Sequence, residues 1–417
     1  VKRLQAFKFE MMPDGEQQRD MRRFAGARRF VYNKSLAIQK ADLGFCQNYA
    51  AGGKFIGYVD MANRLPEWKK EFEWLKESPS QALQQSLKDV ERAFKNFFEK
   101  RAGFPRFKRK GTGDSFRFPQ GFDVDQGNSR IKLPKLDWIR YRNSRDIPGT
   151  AKNITLSQTG GKWFASIQTE REVEQPIPVA TSAIGIDMGI VRFATLSDGS
   201  FIAPLGSFKK HETRLRRHQR KMSRKIKHSK NWQKAKRKVQ KIHTRISNAR
   251  KDFLHKASTE ISKNHAMVAI EDLKVGNMSR SAQGTVETPG KNVEAKSGLN
   301  KSILDQGWFE FRRQLDYKLN WNGGLLIAVP AHYTSQTCPA CDHIAKKNRQ
   351  TQAKFECVDC GHEENADVVG AKNVLARGHR VAACGEDGSG LARKRKTKPA
   401  SVKQEPTEVT MCEETHV

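Results

Sequence analysis

Residues 183–189 read Ala183-Ile184-Gly185-Ile186-Asp187-Met188-Gly189, a short apolar run with a single carboxylate near its end. A continuous apolar run of this length is typical of a buried strand. Asp187 has no cationic neighbour within the run, so its charge is not compensated locally. The stretch therefore predicts a buried strand that carries an acidic side chain at its end.

Two further acidic residues have comparable settings. Glu271 follows the apolar run at 266–270, and Asp367 opens a segment whose apolar residues recur at helical spacing. Two strand ends and one helix start can converge, and carboxylates a few ångströms apart raise one another's pKa. Divalent cations remove that cost, and two Mg²⁺ ions about 4 Å apart would clamp the attacking and leaving oxygens of a phosphodiester. We predict that Asp187, Glu271 and Asp367 are the catalytic magnesium ligands of a nuclease.

A four-cysteine pattern lies between the second and third acids: Cys338-x2-Cys341, then Cys357-x2-Cys360. Its spacing matches a zinc ribbon, in which four thiolates complete the tetrahedron and leave no position for water, so the predicted zinc is structural. His343 and His362 lie close to the pairs and are alternative ligands that four cysteines make unnecessary. The other cysteines, Cys46, Cys384 and Cys412, are scattered, which favours a reducing compartment over a disulfide framework.

The charge balance indicates a polyanionic partner. The chain has 417 residues, with 77 Lys and Arg against 45 Asp and Glu, for a net charge of +32. Such an excess is typical of nucleic-acid binding, and the length suggests two to four compact units. We find no apolar run of about 18–20 residues and no signal-peptide pattern, so we expect no membrane partner and a prokaryotic cytoplasmic or nucleoid location.

The basic residues lie in three segments that differ in their periodicity. Residues 11–103 have helical periodicity, with Leu83, Leu87, Val90, Phe94 and Phe97 as a core stripe, and residues 104–180 contain short strands that predict a small β-barrel or sheet. Residues 209–256 hold twenty Lys and Arg and only two acids, which predicts a basic arm of two amphipathic helices broken near 228–231. Exposed charge of one sign would follow a phosphate backbone. The predicted contacts on these segments are Arg106, Lys108, Arg217, Lys221 and Arg224.

The motifs together resemble the TnpB family, transposon-encoded RNA-guided endonucleases related to type V CRISPR effectors. The resemblance covers most of residues 1–378 and includes Ile184–Gly189, Ile270–Leu273, Thr334–Cys341, and Asn365–Asp367 with Ala371-x-Asn373. It implies a multidomain α+β fold: an RNase H-like (RuvC) α/β nuclease with an inserted zinc ribbon, and a wedge-like β-barrel with an inserted helical recognition unit. It also implies a guide RNA transcribed from the end of the transposable element.

Periodicity, composition and the resemblance together set the expected domain boundaries. They are 1–10 with 104–180 for the barrel, 11–103 for the recognition unit, 181–337 with 361–378 for the nuclease including the arm, 338–360 for the ribbon, and 379–417 for a disordered tail. By analogy, the recognition unit and barrel read a short duplex motif beside the target, while base pairing with the guide reads the rest. Ser80, Gln81 and Gln84 fall where the family reads that motif.

The predicted function is RNA-guided cleavage of double-stranded DNA by a protein that is monomeric in its ribonucleoprotein, leaving 3′-hydroxyl and 5′-phosphate ends. Three alternatives stay open at this point. A guide-dependent repressor that never cuts would be marked by a lost acid, which this chain does not show. An RNase H-like transposase would produce joined products, and a plain zinc-ribbon nucleic-acid-binding protein would be indifferent to Mg²⁺.

Overall fold

The computed structural model describes residues 1–42 and 55–383. Cys46, Cys384, Cys412 and most of the predicted tail lie outside these described residues. The chain divides into two compact units. The first comprises Val1–Pro176 and Gly206–Asp252, and the second comprises Ile177–Leu205 and the residues from Phe253 onward.

A seven-stranded antiparallel sheet forms the centre of the first unit, in the order β2-β6-β7-β1-β5-β4-β3. One face of each strand is buried, as period-two alternation predicts, and β1 contributes Phe7, Phe9 and Met11 to the core. Among the described residues the end strands β2 and β3 are not hydrogen-bonded neighbours, so the predicted barrel is seen as an open sheet. The strands are β1 (Lys2–Met12), β2 (Ser115–Phe118), β3 (Asp123–Asp125), β4 (Arg130–Leu133), β5 (Asp137–Tyr141), β6 (Thr150–Thr159) and β7 (Lys162–Glu172).

Helices of the first unit pack on this sheet and on one another. Met21, Phe24 and Ala82 from two of these helices join the core of the sheet. The predicted core stripe on the fourth helix is buried at Leu83, Leu87, Val90 and Phe94. The helices are α1 (Gly15–Asp42), α2 (Tyr58–Asn63), α3 (Leu65–Glu71) and α4 (Ser80–Phe98), with a 3₁₀ turn at Glu73–Glu77.

The basic arm is a pair of helices, α5 (Ser207–Ser223) and α6 (Lys230–Asn264), with the predicted break between them. A small apolar cluster joins the two helices: Leu215, Val239, Ile242 and Ile246. The sequence prediction placed the arm with the nuclease region, whereas its residues through Asp252 group with the first unit. The remainder of α6 belongs to the second unit.

A five-stranded sheet with the order β10-β9-β8-β11-β12 forms the core of the second unit. Strands β8 (Ala183–Asp187), β11 (Met267–Glu271) and β12 (Leu325–Val329) are parallel, while β9 (Ala194–Leu196) and β10 (Phe201–Ile202) run antiparallel to their neighbours. Even-numbered residues of β8 and β11 pack with the end of α6 and with α9 (Trp308–Trp321). Odd-numbered residues of β11 and β12 pack with α10 (Ala366–Ala383). The sheet is therefore covered by helices on both faces.

The segment between β11 and β12 differs from its prediction. The composition of residues 279–299, rich in Ser, Gly, Thr and Asn, predicts a mobile loop without periodic structure, and the apolar residues that follow, Leu304 among them, predict one core helix. The structure has α7 (Val275–Met278) and then α8 (Val293–Gln306), which is separated from α9 by Gly307 in the left-handed region at φ 76°. Leu304, expected in the core, is 54% exposed. A break at glycine turns the chain so that only α9 presents a full apolar face to the sheet.

The cysteine segment contains a 3₁₀ turn at Lys346–Asn348 and a hairpin of β13 (Lys354–Glu356) and β14 (Glu363–Asn365). The hairpin extends past the predicted ribbon boundary at residue 360 and leads directly into α10. None of the helices in the described ranges is long and apolar enough to cross a membrane.

Candidate functional site

Strand register brings Asp187 and Glu271 side by side. Ile186 on β8 pairs with Ile270 on the parallel strand β11, so the next residues of both strands occupy adjacent positions at the carboxyl edge of the sheet. Residues at matching positions of neighbouring strands share a face of the sheet. Asp187 and Glu271 therefore project on the face that α10 covers, as the sequence prediction of two converging strand ends required.

Helix α10 delivers the third carboxylate, because Asp367 lies in its first turn. The helix lies very close to β8: a Cβ atom at Gly185 would be 2.2 Å from the carbonyl oxygen of Ala371. One turn after Asp367, a Cβ at Gly370 would be 3.0 Å from Asp187 Oδ2. Glycine at 185 and 370 thus lets the helix approach the strand and leaves room for the Asp187 carboxylate. Gly185 lies in the Ile184–Gly189 motif, but its spacing along the chain does not reveal this role.

Burial makes the carboxylates of Asp187 and Glu271 costly to ionise, and at Asp187 the charges of neighbouring acids add to that cost. Burial, and then the charges of Glu271 and Asp367, raise the pKa of Asp187 to about 7, against a smaller opposing effect of Arg349. Burial also raises the pKa of Glu271, while a hydrogen bond from Thr334 and the charges of Arg377 and Arg349 lower it. Perturbed carboxyl groups of this kind are typical of functional sites.

Three residues that sequence reasoning did not assign to the site hold it in place. Thr334 Oγ1 donates to Glu271 Oε1 at 2.8 Å. Asn373 Nδ2 donates to the carbonyl oxygens of Thr334 at 2.8 Å and Thr337 at 2.7 Å, which fixes the loop against α10. Arg349 Nη2 lies 3.5 Å from Asp367 Oδ1 and supplies a positive charge from within the cysteine segment. Thr334 and Asn373 belong to the quoted motifs, whereas no local signal marks Arg349.

The four cysteines form a tighter group than the acids. Their sulfur atoms all lie within 4.8 Å of one another, with 3.6 Å between Cys338 and Cys360 and between Cys341 and Cys357. Tetrahedral zinc with Zn–S bonds of about 2.3 Å needs sulfur separations of about 3.8 Å. Among the described residues this is the group whose donor atoms converge for a metal, while the carboxylates are arranged more loosely. His362 Nε2 lies 3.3 Å from Glu364 Oε2, so this histidine has another partner.

The predicted nucleic-acid contacts fall into two classes. Exposed side chains are those of Ser80, Gln84, Arg106, Arg217, Lys221 and Arg224. Gln81 is half-buried, and its Oε1 accepts no hydrogen bond from the residues that the structure describes.

Lys108 differs from the other predicted contacts. Its Nζ lies 3.8 Å from the centroid of the Tyr32 ring and 4.0 Å from Asp89, and burial lowers its pKa to about 8. Its backbone is also held by Asn33, which accepts from the Lys108 N–H at 2.8 Å and donates to its carbonyl oxygen at 3.0 Å. This geometry favours a packing role over the predicted contact with nucleic acid.

Comparison with known proteins gives matches along the chain. Family models match residues 166–282 (OrfB_IS605, probable transposase), 308–374 (Cas12f1-like, TNB domain) and 3–43 (helix-turn-helix domain). In the structure the last of these segments is strand β1 and the single helix α1. InsQ of Escherichia coli (strain K12), named as a candidate RNA-guided DNA endonuclease, is 58% identical over 98% of this chain and 99% of InsQ. The chain belongs to the TnpB family.

Other relatives agree with the assignment to TnpB. A candidate RNA-guided DNA endonuclease of Streptomyces pristinaespiralis is 35% identical over 97% of both chains. The cryo-EM structure of a Cas12f1–sgRNA–target DNA complex aligns with a TM-score of 0.55 at 12% identity, covering 90% of this chain and 99% of that chain. This last match shows a shared mixed α/β multidomain fold. The family resemblance expected from the motifs is confirmed.

Proposed function

We propose that this TnpB protein is an RNA-guided DNA endonuclease of a transposable element, and that its second unit is an RNase H-like (RuvC) nuclease. The observation that carries this proposal is the convergence of Asp187, Glu271 and Asp367 at one edge of the mixed five-stranded sheet. Three acids from two parallel strands and a covering helix form a site that accepts divalent cations. The names of the relatives, which describe RNA-guided DNA endonucleases, support the same substrate.

The carboxylates fit Mg²⁺. A hard cation takes oxygen ligands. The pKa of Asp187 is raised to about 7 even with Arg349 nearby, so a bound cation would stabilise the charged form of this carboxylate. When bound, two such ions activate water and stabilise the leaving oxygen of a phosphodiester. Asp187, Glu271 and Asp367 would hold them.

The other residues of the site act on position and charge. Thr334 fixes the orientation of the Glu271 carboxylate through its 2.8 Å hydrogen bond, and Asn373 fixes Thr334. Arg349 brings a guanidinium to the Asp367 side of the cluster, where it would attract the phosphate of the strand to be cut. These groups orient the carboxylates before the substrate arrives.

The four cysteines fit structural zinc. Cys338 and Cys357 are buried while Cys341 and Cys360 are exposed, and four thiolates leave no open coordination position for chemistry. A bound zinc would therefore act by holding the segment that carries Arg349. This role couples the ribbon to the nuclease site without making it catalytic.

The guide RNA and the target DNA would bind to the basic surface. Helix α5 exposes Arg217 and Lys221, with Arg224 at its end, and such one-signed charge contacts phosphates without sequence preference. Ser80 and Gln84, exposed at the start of α4, would read the duplex motif beside the target. Base pairing with the guide would supply the remaining specificity.

The test expresses the chain with the transcript from its own locus and sequences the RNA that co-purifies. The complex is then incubated with Mg²⁺ and a plasmid library that carries a guide-matched target beside randomised flanks. We expect one defined RNA and cutting that depends on both match and flank. RNA binding without cutting would instead indicate a repressor, joined products a transposase, and binding indifferent to Mg²⁺ a simple nucleic-acid-binding protein.

Variants of the three acids localise the activity. Asp187→Ala, Glu271→Ala and Asp367→Ala should each abolish cutting and retain RNA binding. Asp272→Ala is the matched control, since Asp272 is the neighbouring acid and pairs with Arg312 outside the cluster. Cutting retained by all three acid variants would contradict the proposed site.

A further inference from the structure

An exposed aromatic side chain lies in the same row of the sheet as the catalytic carboxylates. Asp187 on β8 pairs with Thr195 on β9, and Thr195 pairs with Phe201 on β10. Directly opposed residues of antiparallel strands share a face, so Phe201 projects on the same face as Asp187. With strands about 4.8 Å apart, the two Cα atoms are about 10 Å apart.

The environment of Phe201 is unlike that of a core residue. Its side chain is 57% exposed, whereas Thr195, between it and Asp187, is 2% exposed. The guanidinium of Arg192 lies over the Phe201 ring, with Cζ 4.7 Å from the centroid. Within the described part of the chain, no acidic side chain lies within ion-pair distance of Arg192.

The chain holds this pair firmly. Strand β10 is paired with β9 at both of its residues, and the Phe193 N–H donates to the Ile202 carbonyl oxygen at 2.8 Å. A Cβ at Gly189 would be 2.9 Å from the Arg192 carbonyl oxygen, so the turn between β8 and Arg192 is tight. An exposed ring and a cation are thus presented in one arrangement beside the nuclease site.

The exposed ring and cation match the chemistry of a nucleotide. A nucleobase of any type can stack on an aromatic or guanidinium plane, and an arginine also attracts the adjacent phosphate. Bases of a stacked strand are about 3.4 Å apart, so a distance of about 10 Å corresponds to about three nucleotides. A duplex would hide its base faces, whereas a single strand would offer them.

We propose that Phe201 and Arg192 form a stacking platform for an unpaired base of the DNA strand being cut, about three nucleotides from the scissile phosphate. This inference rests on the proposed nuclease function and adds to it a residue pair that selects single-stranded DNA and sets the position of the cut. Phe201 and Arg192 act on positioning, because neither belongs to the carboxylate cluster.

The first part of the test compares side chains in the full chain with its guide RNA. Phe201→Leu keeps apolar volume but removes the ring, and Phe201→Trp restores an aromatic plane. We expect Phe201→Leu to slow single-turnover cutting by roughly tenfold, mainly because the DNA strand binds more weakly at the site. The cut should also spread over neighbouring phosphodiester bonds. Phe201→Trp should stay near wild type in both rate and cut position. Arg192→Lys should show a smaller loss, since lysine keeps the charge without the plane.

The matched control is Phe309→Leu. Phe309 is 76% exposed and belongs to α9, which packs on the opposite face of the sheet from Asp187. The same chemical change at this position should leave the rate and the cut position unchanged. A loss shared by both variants would overturn the assignment to Phe201, because it would reflect a general effect of exposed rings.

The second part uses targets in which single nucleotides near the cut are replaced by abasic residues. One abasic position should slow wild-type cutting as much as Phe201→Leu does, and should not slow the Phe201→Leu variant further, which is the signature of a direct partner. Additive effects at every position would overturn the stacking platform and leave the nuclease proposal intact. A wild-type complex that cuts no target would instead overturn the proposed function on which the platform depends.

Discussion

The thiol cluster and the carboxylate cluster, both proposed metal sites, are built in opposite ways. The thiols come from one segment, Cys338–Cys360, and their sulfur atoms lie within 4.8 Å of one another. The carboxylates come from two strands and a helix spread over residues 187–367, and they depend on strand register and on the approach of α10 to β8. One site is therefore fixed by local spacing, and the other by the packing of the whole second unit.

The difference also concerns stability. Thiolates around zinc contribute folding free energy directly, because the ligands are held together only when the ribbon is folded. Buried carboxylates without a metal oppose folding, because each charged group is desolvated next to others of the same sign. Removing a ligand should thus destabilise the first site and stabilise the metal-free form of the second.

The largest expected effect is on the ribbon. Cys338→Ser should remove the zinc and unfold residues 338–360 locally, because zinc contributes on the order of 10 kcal/mol to such sites. Zinc content and hydrogen exchange of the segment measure this directly. Cys46→Ser is the matched control and should leave both unchanged; full zinc content in Cys338→Ser would show that the thiols are not the ligands.

The opposite sign is expected at Asp187. Asp187→Asn should abolish cutting and yet raise the unfolding free energy of the metal-free protein at pH 8 by a few kcal/mol, at about 1.4 kcal/mol per pKa unit. Because the pKa of Asp187 is raised from 3.8 to about 7, the folded protein holds a proton that the unfolded chain releases between these values. Metal-free wild type should therefore lose stability as pH rises from about 4 to 7.

Thermal unfolding in EDTA across this pH range tests the expectation at Asp187. The Asp187→Asn variant should show a flatter profile than wild type, and added Mg²⁺ should stabilise wild type only. A variant less stable than wild type at pH 8 without metal would contradict the idea that the carboxylates oppose folding.

A smaller effect tests the helix approach on which the carboxylate site depends. Gly185→Ala should destabilise the protein by about 2–3 kcal/mol, because the added methyl would lie 2.2 Å from the Ala371 carbonyl oxygen and must push α10 away. Cutting should fall as Asp367 moves with the helix. Gly298→Ala, on α8 with no atom within 4 Å of the added Cβ, is the control and should be neutral or slightly stabilising. Equal unfolding midpoints for the two variants would show that the close approach is relaxed at no cost.

The smallest effect concerns the hydroxyl that orients Glu271. Thr334→Val keeps the shape of the side chain and removes the hydrogen bond that lowers the pKa of Glu271. Loss of this hydrogen bond should lower the free energy of unfolding by about 1–2 kcal/mol. It should also move the acidic limb of the profile of cutting rate against pH to higher pH, because Glu271 then needs a higher pH to ionise. Thr334→Ser should restore the profile, and an unmoved limb in Thr334→Val would show that the hydroxyl does not tune Glu271.

Several elements could be predicted because their signals are local. The apolar stripe of α4, the break in the basic arm and the pairing of cysteines all follow from spacing along the chain. Three other features could not be predicted, because each depends on partners distant in sequence. They are the open edges of the seven-stranded sheet, the break at Gly307 and the grouping of the arm with the first unit. Lys108 shows the same limit: a basic residue in a basic segment is engaged by Tyr32 and Asp89.

The sequence by itself determined which chemical groups are present: three acids in strand and helix settings, four thiols at metal spacing, a large positive charge and the motifs of the TnpB family. Only the tertiary structure decided which groups meet. Parallel register placed Asp187 beside Glu271. Glycine at 185 and 370 allowed α10 to approach the strand closely and bring Asp367 to the site. Strand pairing placed Phe201 in the same row of the sheet as Asp187. The physical reason is that spacing fixes contacts only within an element or a short loop, whereas contacts between elements depend on how their buried faces pack.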